Sequence, residues 1–282
     1  MLRVFGDVHQ LPPIEELTVT SGPPPEMSPF RSHLARFPSV TLKNIYRQGE
    51  GSGVVKNAHR ILNKMCPQPL PDFGVVLTRA QPSKLLPMVD KNPKMYGSLD
   101  HQIITPTHRG WIGTRELNKK IQAIVQAGNY AEGRIIPRSK WDKEDLELLV
   151  GDKVLWTKND YNLGIFNGET GIVIDLLGQG HVVINFGDRV ISVPPLISYE
   201  RADGQTVYYD PRTQIKLAYV ITTHASQGSE YESIVYIMDR YAMVLQDQAN
   251  FYTAVTRAKK HATVIADQWS FQKAVTTPRS LL

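Results

Sequence analysis

A single cysteine, Cys66, stands among 282 residues. No internal disulfide can form, and no zinc site can be built from several thiolates. Apolar runs are short: none approaches the roughly 18 to 20 residues that a membrane span needs. The opening Met1-Leu2-Arg3-Val4-Phe5-Gly6-Asp7 lacks the apolar core of a secretory signal, so a cytoplasmic location and no membrane partner are expected. Neither sign of charge dominates. The 32 Lys and Arg against 27 Asp and Glu leave a net charge of +5, a lean toward polyanions too small to carry an argument alone. Clustered carboxylates of the kind that hold catalytic metals are missing, so no metal site is expected and nuclease chemistry has no support. Also missing is any G-x-x-x-x-G-K-[ST] loop, whose backbone amides and lysine cradle the β- and γ-phosphates of a nucleoside triphosphate.

What is present alternates between strand-like and helix-like stretches. Leu2 to Phe5 is a short apolar run ending in Gly-Asp, the pattern of a buried strand delivering a loop, and a sheet for it would have to come from outside this chain. The proline-rich Ser21 to Pro29 reads as a surface connection. Phe30 to Phe37 is expected as a short helix, Thr41-Leu42 as a strand edge, and Val54 to Met65 as a helix ended by Pro67, Pro69 and Pro71. Gly74 to Leu77 and His101 to Thr105 read as strands, and Arg115 to Ala127 as an amphipathic helix. This is the texture of a parallel α/β sheet. From Gly151 to Tyr209 it changes to short β runs split by Asn167-Gly168, Gly178-Gln179-Gly180 and Gly187-Asp188 turns, which predicts a small antiparallel barrel. The α/β pattern then resumes with strands over 218–221, 233–238 and 262–266 and a helix over 250–257.

Six segments occur in an order that resembles the RecD-like superfamily 1 helicases, the B group that moves 5′→3′ on single-stranded DNA. They are Gly6-Asp7-x-x-Gln10-Leu11-Pro12-Pro13, Tyr46-Arg47-Gln48, Thr105-Pro106-Thr107-His108-Arg109-Gly110, Phe166-Asn167-Gly168-Glu169-x-Gly171, His224-x-Ser226-Gln227-Gly228-Ser229-Glu230 and Tyr252-Thr253-Ala254-x-Thr256-Arg257-Ala258. In that family two RecA-like domains sandwich ATP, and the second carries an inserted SH3-like barrel. The resemblance implies that residues 1–40 are a remnant of the first domain and a linker. Residues 41–150 and 210–282 would form the second RecA-like domain, and 151–209 the insertion. ATP with Mg2+ is the implied cofactor, its phosphate and metal cradle coming from the absent first domain or a partner subunit. Single-stranded DNA is the implied substrate.

The residues carry a chemical reading of their own. Gln10, at a strand-end loop, can both donate and accept, so it suits sensing a γ-phosphate; a plain Gly-Asp turn is the alternative. His9 either lines a nucleic-acid channel or is merely solvated. Phosphoryl transfer spreads negative charge over equatorial oxygens, and guanidinium forks stabilise it. The resemblance assigns that task to Arg47 and Arg257, against the alternatives of a surface arginine and a helix-end ion pair. In the Thr222 to Glu230 segment, Thr223, His224 and Ser226 suit phosphate contacts, Gly228 a close backbone approach to nucleotide, and Glu230 a ribose hydroxyl. The family usually has lysine where this chain has Ala225. Thr105, Pro106, His108 and Arg109 are candidates for strand-backbone contacts or for a simple loop, and Asn167-Gly168 reads as a structural turn. Trp111, Trp141, Trp156 and Tyr161 are either core or base-stacking surfaces. The expectation is thus the C-terminal motor half of an ATP-dependent DNA helicase, unable to hydrolyse ATP alone, with a non-catalytic nucleic-acid-binding or regulatory module as the alternative.

Overall fold

The computed structural model describes residues 7, 9–11, 36, 38, 51–79, 93–127, 134–136, 146–200 and 203–278. The expected strand over 2–5, the helix over 30–37 apart from Arg36, the strand at 41–42, Arg47 and Trp141 lie outside them.

The chain enters helix α1 (Gly53–Leu62), strand β1 (Phe73–Leu77), the short helix α2 (Pro93–Tyr96), β2 (His101–Thr105) and α3 (Thr114–Val125). A two-stranded pair, β3 (Arg134–Ile136) with β4 (Leu146–Leu148), precedes β5 (Lys153–Trp156), β6 (Thr170–Asp175), β7 (Val182–Asn185) and β8 (Val190–Val193). Then come the hairpin β9 (Ile197–Glu200) and β10 (Thr206–Tyr209), β11 (Ile215–Leu217), β12 (Val220–Thr222) and β13 (Tyr231–Met238). Helix α4 (Gln248–Val255), β14 (Ala258–Ala266) and α5 (Gln268–Thr276) close the described chain.

The expected parallel sheet is present, in the order β1-β14-β13-β2-β12 with every pairing parallel. Strands β2 and β12, most of β13 and the second half of β14 are buried, and their residues alternate between two cores. Ile104, Ile234, Tyr236, Met238, Val264 and Ala266 meet α1, α4 and α5 on one side. Ile103, Val235, Ile237 and Ile265 meet Leu117 and Ile121 of α3 on the other. Helix α1 stops at Leu62, before the prolines expected to end it. Lys64 adopts φ 57, its amide donates to the Ile61 carbonyl, and the Met65 amide donates to the Arg60 carbonyl at 2.8 Å. That double closure is a Schellman cap, which terminates a helix without proline.

The antiparallel strands form a second five-stranded sheet, β11-β5-β6-β7-β8, over a separate core that includes Val154, Trp156, Val173, Ile184 and Ile215. Its edge strand β11 follows residue 209. Two buried polar residues at the start of β5 join the sheets. The Asp152 carboxylate accepts from Tyr219 Oη at 2.7 Å, Gln122 Nε2 at 2.6 Å and Gln126 Nε2 at 2.9 Å, tying the second sheet to α3 and the start of β12. Burial raises the Asp152 pKa despite these donors. Lys153 Nζ donates to the carbonyls of Ser98 at 2.9 Å and His101 at 2.7 Å, and lies 5.7 Å from the centroid of the Tyr231 ring. Burial pushes that ammonium down to about 7, against a raising effect of Asp100.

Candidate nucleotide and nucleic-acid site

Three adjacent parallel strands, β13, β2 and β12, release their loops at the same C-terminal edge, where α/β sheets place ligands. The loop after β12 is the Thr222 to Glu230 segment. Its winding is set internally: the Ser226 amide donates to the Thr222 carbonyl and the Ser229 amide to the Ser226 carbonyl. Ser226 Oγ donates to the Thr223 carbonyl at 2.7 Å. Thr223 Oγ1 donates to Asn250 Oδ1 at 2.6 Å, and Tyr236 Oη donates to the same oxygen at 3.0 Å. Both Thr223 and Ser226 are fully buried, so what these two hydroxyls supply directly is the shape of the loop rather than a surface for phosphates. His224 lies on its more open side. Gly228 adopts φ +85 with open space where a Cβ would be, and the exposed Glu230 lies 3.8 Å from Lys259. A positive φ suits glycine, and the open backbone there leaves room for a ligand.

The loop after β2 lies alongside. The Thr223 amide donates to the Thr105 carbonyl at 3.0 Å, and Thr105 and Pro106 are buried under the loop. Thr105 is therefore a structural link between the two loops, while His108 and Arg109 are exposed. His108 Nδ1 is hydrogen-bonded with Thr114 Oγ1 at 2.9 Å. Lost hydration, then the neighbouring cations Lys216, Arg115 and His224, hold the His108 pKa below its usual value. With Lys216 on β11 and Arg115 on α3, the two loop histidines form a basic cluster. The Asn167-Gly168 turn also reaches this edge: a Cβ on Gly168, which has φ +93, would stand 3.9 Å from the Ala225 carbonyl. Asn-Gly there closes a turn, as expected, and also brings the second sheet beside the loop.

The Asp7–Leu11 segment docks against α4 and the Thr222 to Glu230 loop. The His9 amide donates to Asp7 Oδ1 at 2.9 Å and Gln10 Nε2 to Asp7 Oδ2 at 3.1 Å, so Gln10 is half-buried with its amide turned onto its own loop. The Leu11 amide donates to Thr253 Oγ1 at 3.0 Å, and Gln227 Nε2 donates to the Leu11 carbonyl at 2.7 Å. The His9 ring meets Tyr252 edge-on at 6.1 Å. Thus three segments far apart in sequence touch at one place. Leu11, Gln227 and Thr253, whose bonds make this junction, each lie inside a recognised motif but carried no role in the sequence reading. Asn250, which holds Thr223, lay outside the motifs.

Arg257 follows α4 directly, at the same junction. Its side chain is only 2% exposed. Nε donates to the Thr253 carbonyl at 3.1 Å, one terminal nitrogen to the Ser229 carbonyl at 3.3 Å and the other to Thr256 Oγ1 at 3.4 Å. The guanidinium is therefore turned inward in this structure, clamping the Thr222 to Glu230 loop to the end of α4. Among the aromatics, Trp156 is core at 1% exposure, whereas Trp111 and Tyr161 are exposed. Among the described residues no group of three or more His, Cys, Asp or Glu is placed to hold a metal ion, and no helix is long and apolar enough to cross a membrane.

The family model for the UvrD-like helicase C-terminal domain matches residues 217–265, from the end of β11 through β14. The chain is similar to the ATP-dependent RecD2 DNA helicase of Deinococcus radiodurans, with 26% identity over 263 residues, 91% of this chain and 31% of that protein. It is also similar to the RecBCD enzyme subunit RecD of Mycobacterium tuberculosis, 27% identical over 236 residues covering 80% of this chain and 36% of that protein. The chain thus spans about a third of the length of these curated relatives. Among solved structures, Pif1 helicase from Bacteroides in complex with ADP-AlF3 and ssDNA matches with a TM-score of 0.54 at 19% identity, over 96% of this chain and 62% of that one. At that identity the match shows the shared fold. Read with the order of the motifs, these matches make the chain similar to the C-terminal part of RecD-like superfamily 1 helicases.

Proposed function

We propose that this chain is the C-terminal motor half of an ATP-dependent DNA helicase that moves 5′→3′ on single-stranded DNA, coupling ATP hydrolysis to translocation and duplex unwinding. The observation that carries the reading is the junction of Asp7–Leu11, Gln227–Ser229 and Thr253–Arg257. It links a candidate γ-phosphate sensor, a candidate strand-binding loop and a candidate arginine finger, the parts a motor must couple. In this reading ATP and Mg2+ are held by the phosphate cradle of a first RecA-like domain, in the same polypeptide or in a partner subunit. Gln10, Arg47 and Arg257 face the γ-phosphate, Gly228 and Glu230 flank the nucleoside, and His108, Arg109 and His224 contact the phosphates of the DNA. The antiparallel sheet supports assigning residues 151–209 to an SH3-like insertion, with Ile215–Leu217 completing its edge. Closure of the interdomain cleft would exchange the carbonyl partners of Arg257 for phosphate oxygens.

One observation favours a second reading, a non-catalytic nucleic-acid-binding or regulatory module: the inward pose of Arg257. A single experiment separates the two. The chain alone should show no DNA-stimulated ATP hydrolysis. Joined to a RecA-like domain bearing a G-x-x-x-x-G-K-[ST] loop it should hydrolyse ATP, and Arg257→Ala should then lower kcat by about 10³- to 10⁵-fold. An active joined enzyme indifferent to that substitution would overturn the arginine-finger role, and an inactive one would favour the module.

A further inference from the structure

We propose that Trp111 and Tyr241 together form a stacking platform for the bases of a single strand, beside the loops assigned to its phosphates; the inference rests on the strand-binding reading above. Trp111 lies on the loop after β2 and Tyr241 on the 3₁₀ turn Arg240–Leu245 after β13. Because β13, β2 and β12 are neighbours and parallel, both rings emerge at the edge that also carries His224. The loop bearing Trp111 stands between the other two.

The rings are 6.0 Å apart with 35° between their planes, and Trp111 is 44% and Tyr241 65% exposed. Single exposed aromatics are ordinary. This pair differs in how its two rings are supported. Each ring is followed by a buried anchor, Ile112 at 0% and Ala242 at 4%, and both anchors belong to one core. The Trp111 loop is wound tightly: the Gly113 amide donates to the Gly110 carbonyl, Gly110 adopts φ +79, and a Cβ on Gly113 would fall 2.6 Å from the carbonyl oxygens of His108 and Arg109. The rings are thus held without the loss of freedom that a mobile loop would suffer on binding.

The surroundings indicate what they meet. Arg109 precedes Trp111 by two residues, and Arg240, whose side chain is 69% exposed, adjoins Tyr241. Aromatic faces interleaved with guanidinium groups suit a polyanion that carries flat rings, since every base has a π-face and every linkage a charge. An apolar protein partner would offer neither guanidinium an anion beyond the Asp267 carboxylate that lies 3.6 Å from Arg240.

The test compares binding of the full chain to a dT oligomer and to an abasic phosphodeoxyribose strand of equal length, by fluorescence anisotropy at fixed salt. The wild-type chain should prefer dT. The double variant Trp111→Ala with Tyr241→Ala should bind dT about 5- to 100-fold more weakly, leave abasic binding and the salt slope unchanged, and abolish the preference. Phe at both positions should restore it. If the wild type binds both strands and the double variant weakens both equally or neither, the platform is refuted while the strand-binding reading stands. If the wild type binds neither strand, both fall together.

Discussion

Gln227 reaches 216 positions back along the chain, its Nε2 donating to the carbonyl of Leu11 at 2.7 Å. The amide of the same leucine donates to Thr253 Oγ1. One residue of the Asp7–Leu11 segment therefore has each of its backbone groups satisfied by a different motif. A change in either motif is felt at Leu11, which is the physical content of coupling between them.

Gln227→Ala should leave the parallel core intact but loosen this junction. A hydrogen bond of this kind contributes about 0.5–1.5 kcal/mol net. The Leu11 amide should then exchange with solvent roughly 2- to 10-fold faster, with no comparable change at Val235 or Val264. Unchanged protection at Leu11, measured by hydrogen exchange, would show that Gln227 bears no part of the docking.

Lys153 predicts a pH dependence of stability. Its folded pKa is near 7, below the ordinary 10.5, so between these values the unfolded chain binds more protons than the folded one. Stability should therefore rise with pH across that window through this group, by a few kcal/mol at most. Urea unfolding at pH 7, 8 and 9 should show the slope, and Lys153→Met should flatten it whatever it does to the absolute stability.

The lowered pKa of His108 carries the opposite sign for binding. A phosphate at the basic cluster favours the protonated ring, so binding takes up a proton and affinity should grow as pH falls below neutral. His108→Gln should reduce that dependence without altering the fold. A single-strand affinity independent of pH between 5.5 and 8 would place no phosphate beside this ring.

Gly113→Ala should destabilise the protein by about 1–3 kcal/mol, because the added carbon falls against backbone rather than a movable side chain. The loop bearing His108, Arg109 and Trp111 should shift with it. Gly178→Ala, where nothing lies within 4 Å of the added carbon, serves as the neutral comparison in a thermal melt.

Periodicity alone located α1, α3, α4 and the strands of the parallel sheet to within a few residues, since burying one stripe of a helix or both faces of a strand leaves a repeat visible in one dimension. Helix ends were less legible. Lys64 closes α1 through a left-handed turn, and no composition rule singles out a lysine for that position.

The order of the motifs, the missing phosphate loop and the division into parallel and antiparallel sheets were determined by the sequence by itself, because each depends on residues close together along the chain. Tertiary structure alone decided the rest. Thr223 and Ser226 turn their hydroxyls inward, Arg257 closes on the Ser229 carbonyl, and Trp111 finds Tyr241 across 130 positions of chain. Such pairings follow from which strands become neighbours and which polar groups lose water on burial. Those are properties of the whole packed body, so no local pattern encodes them.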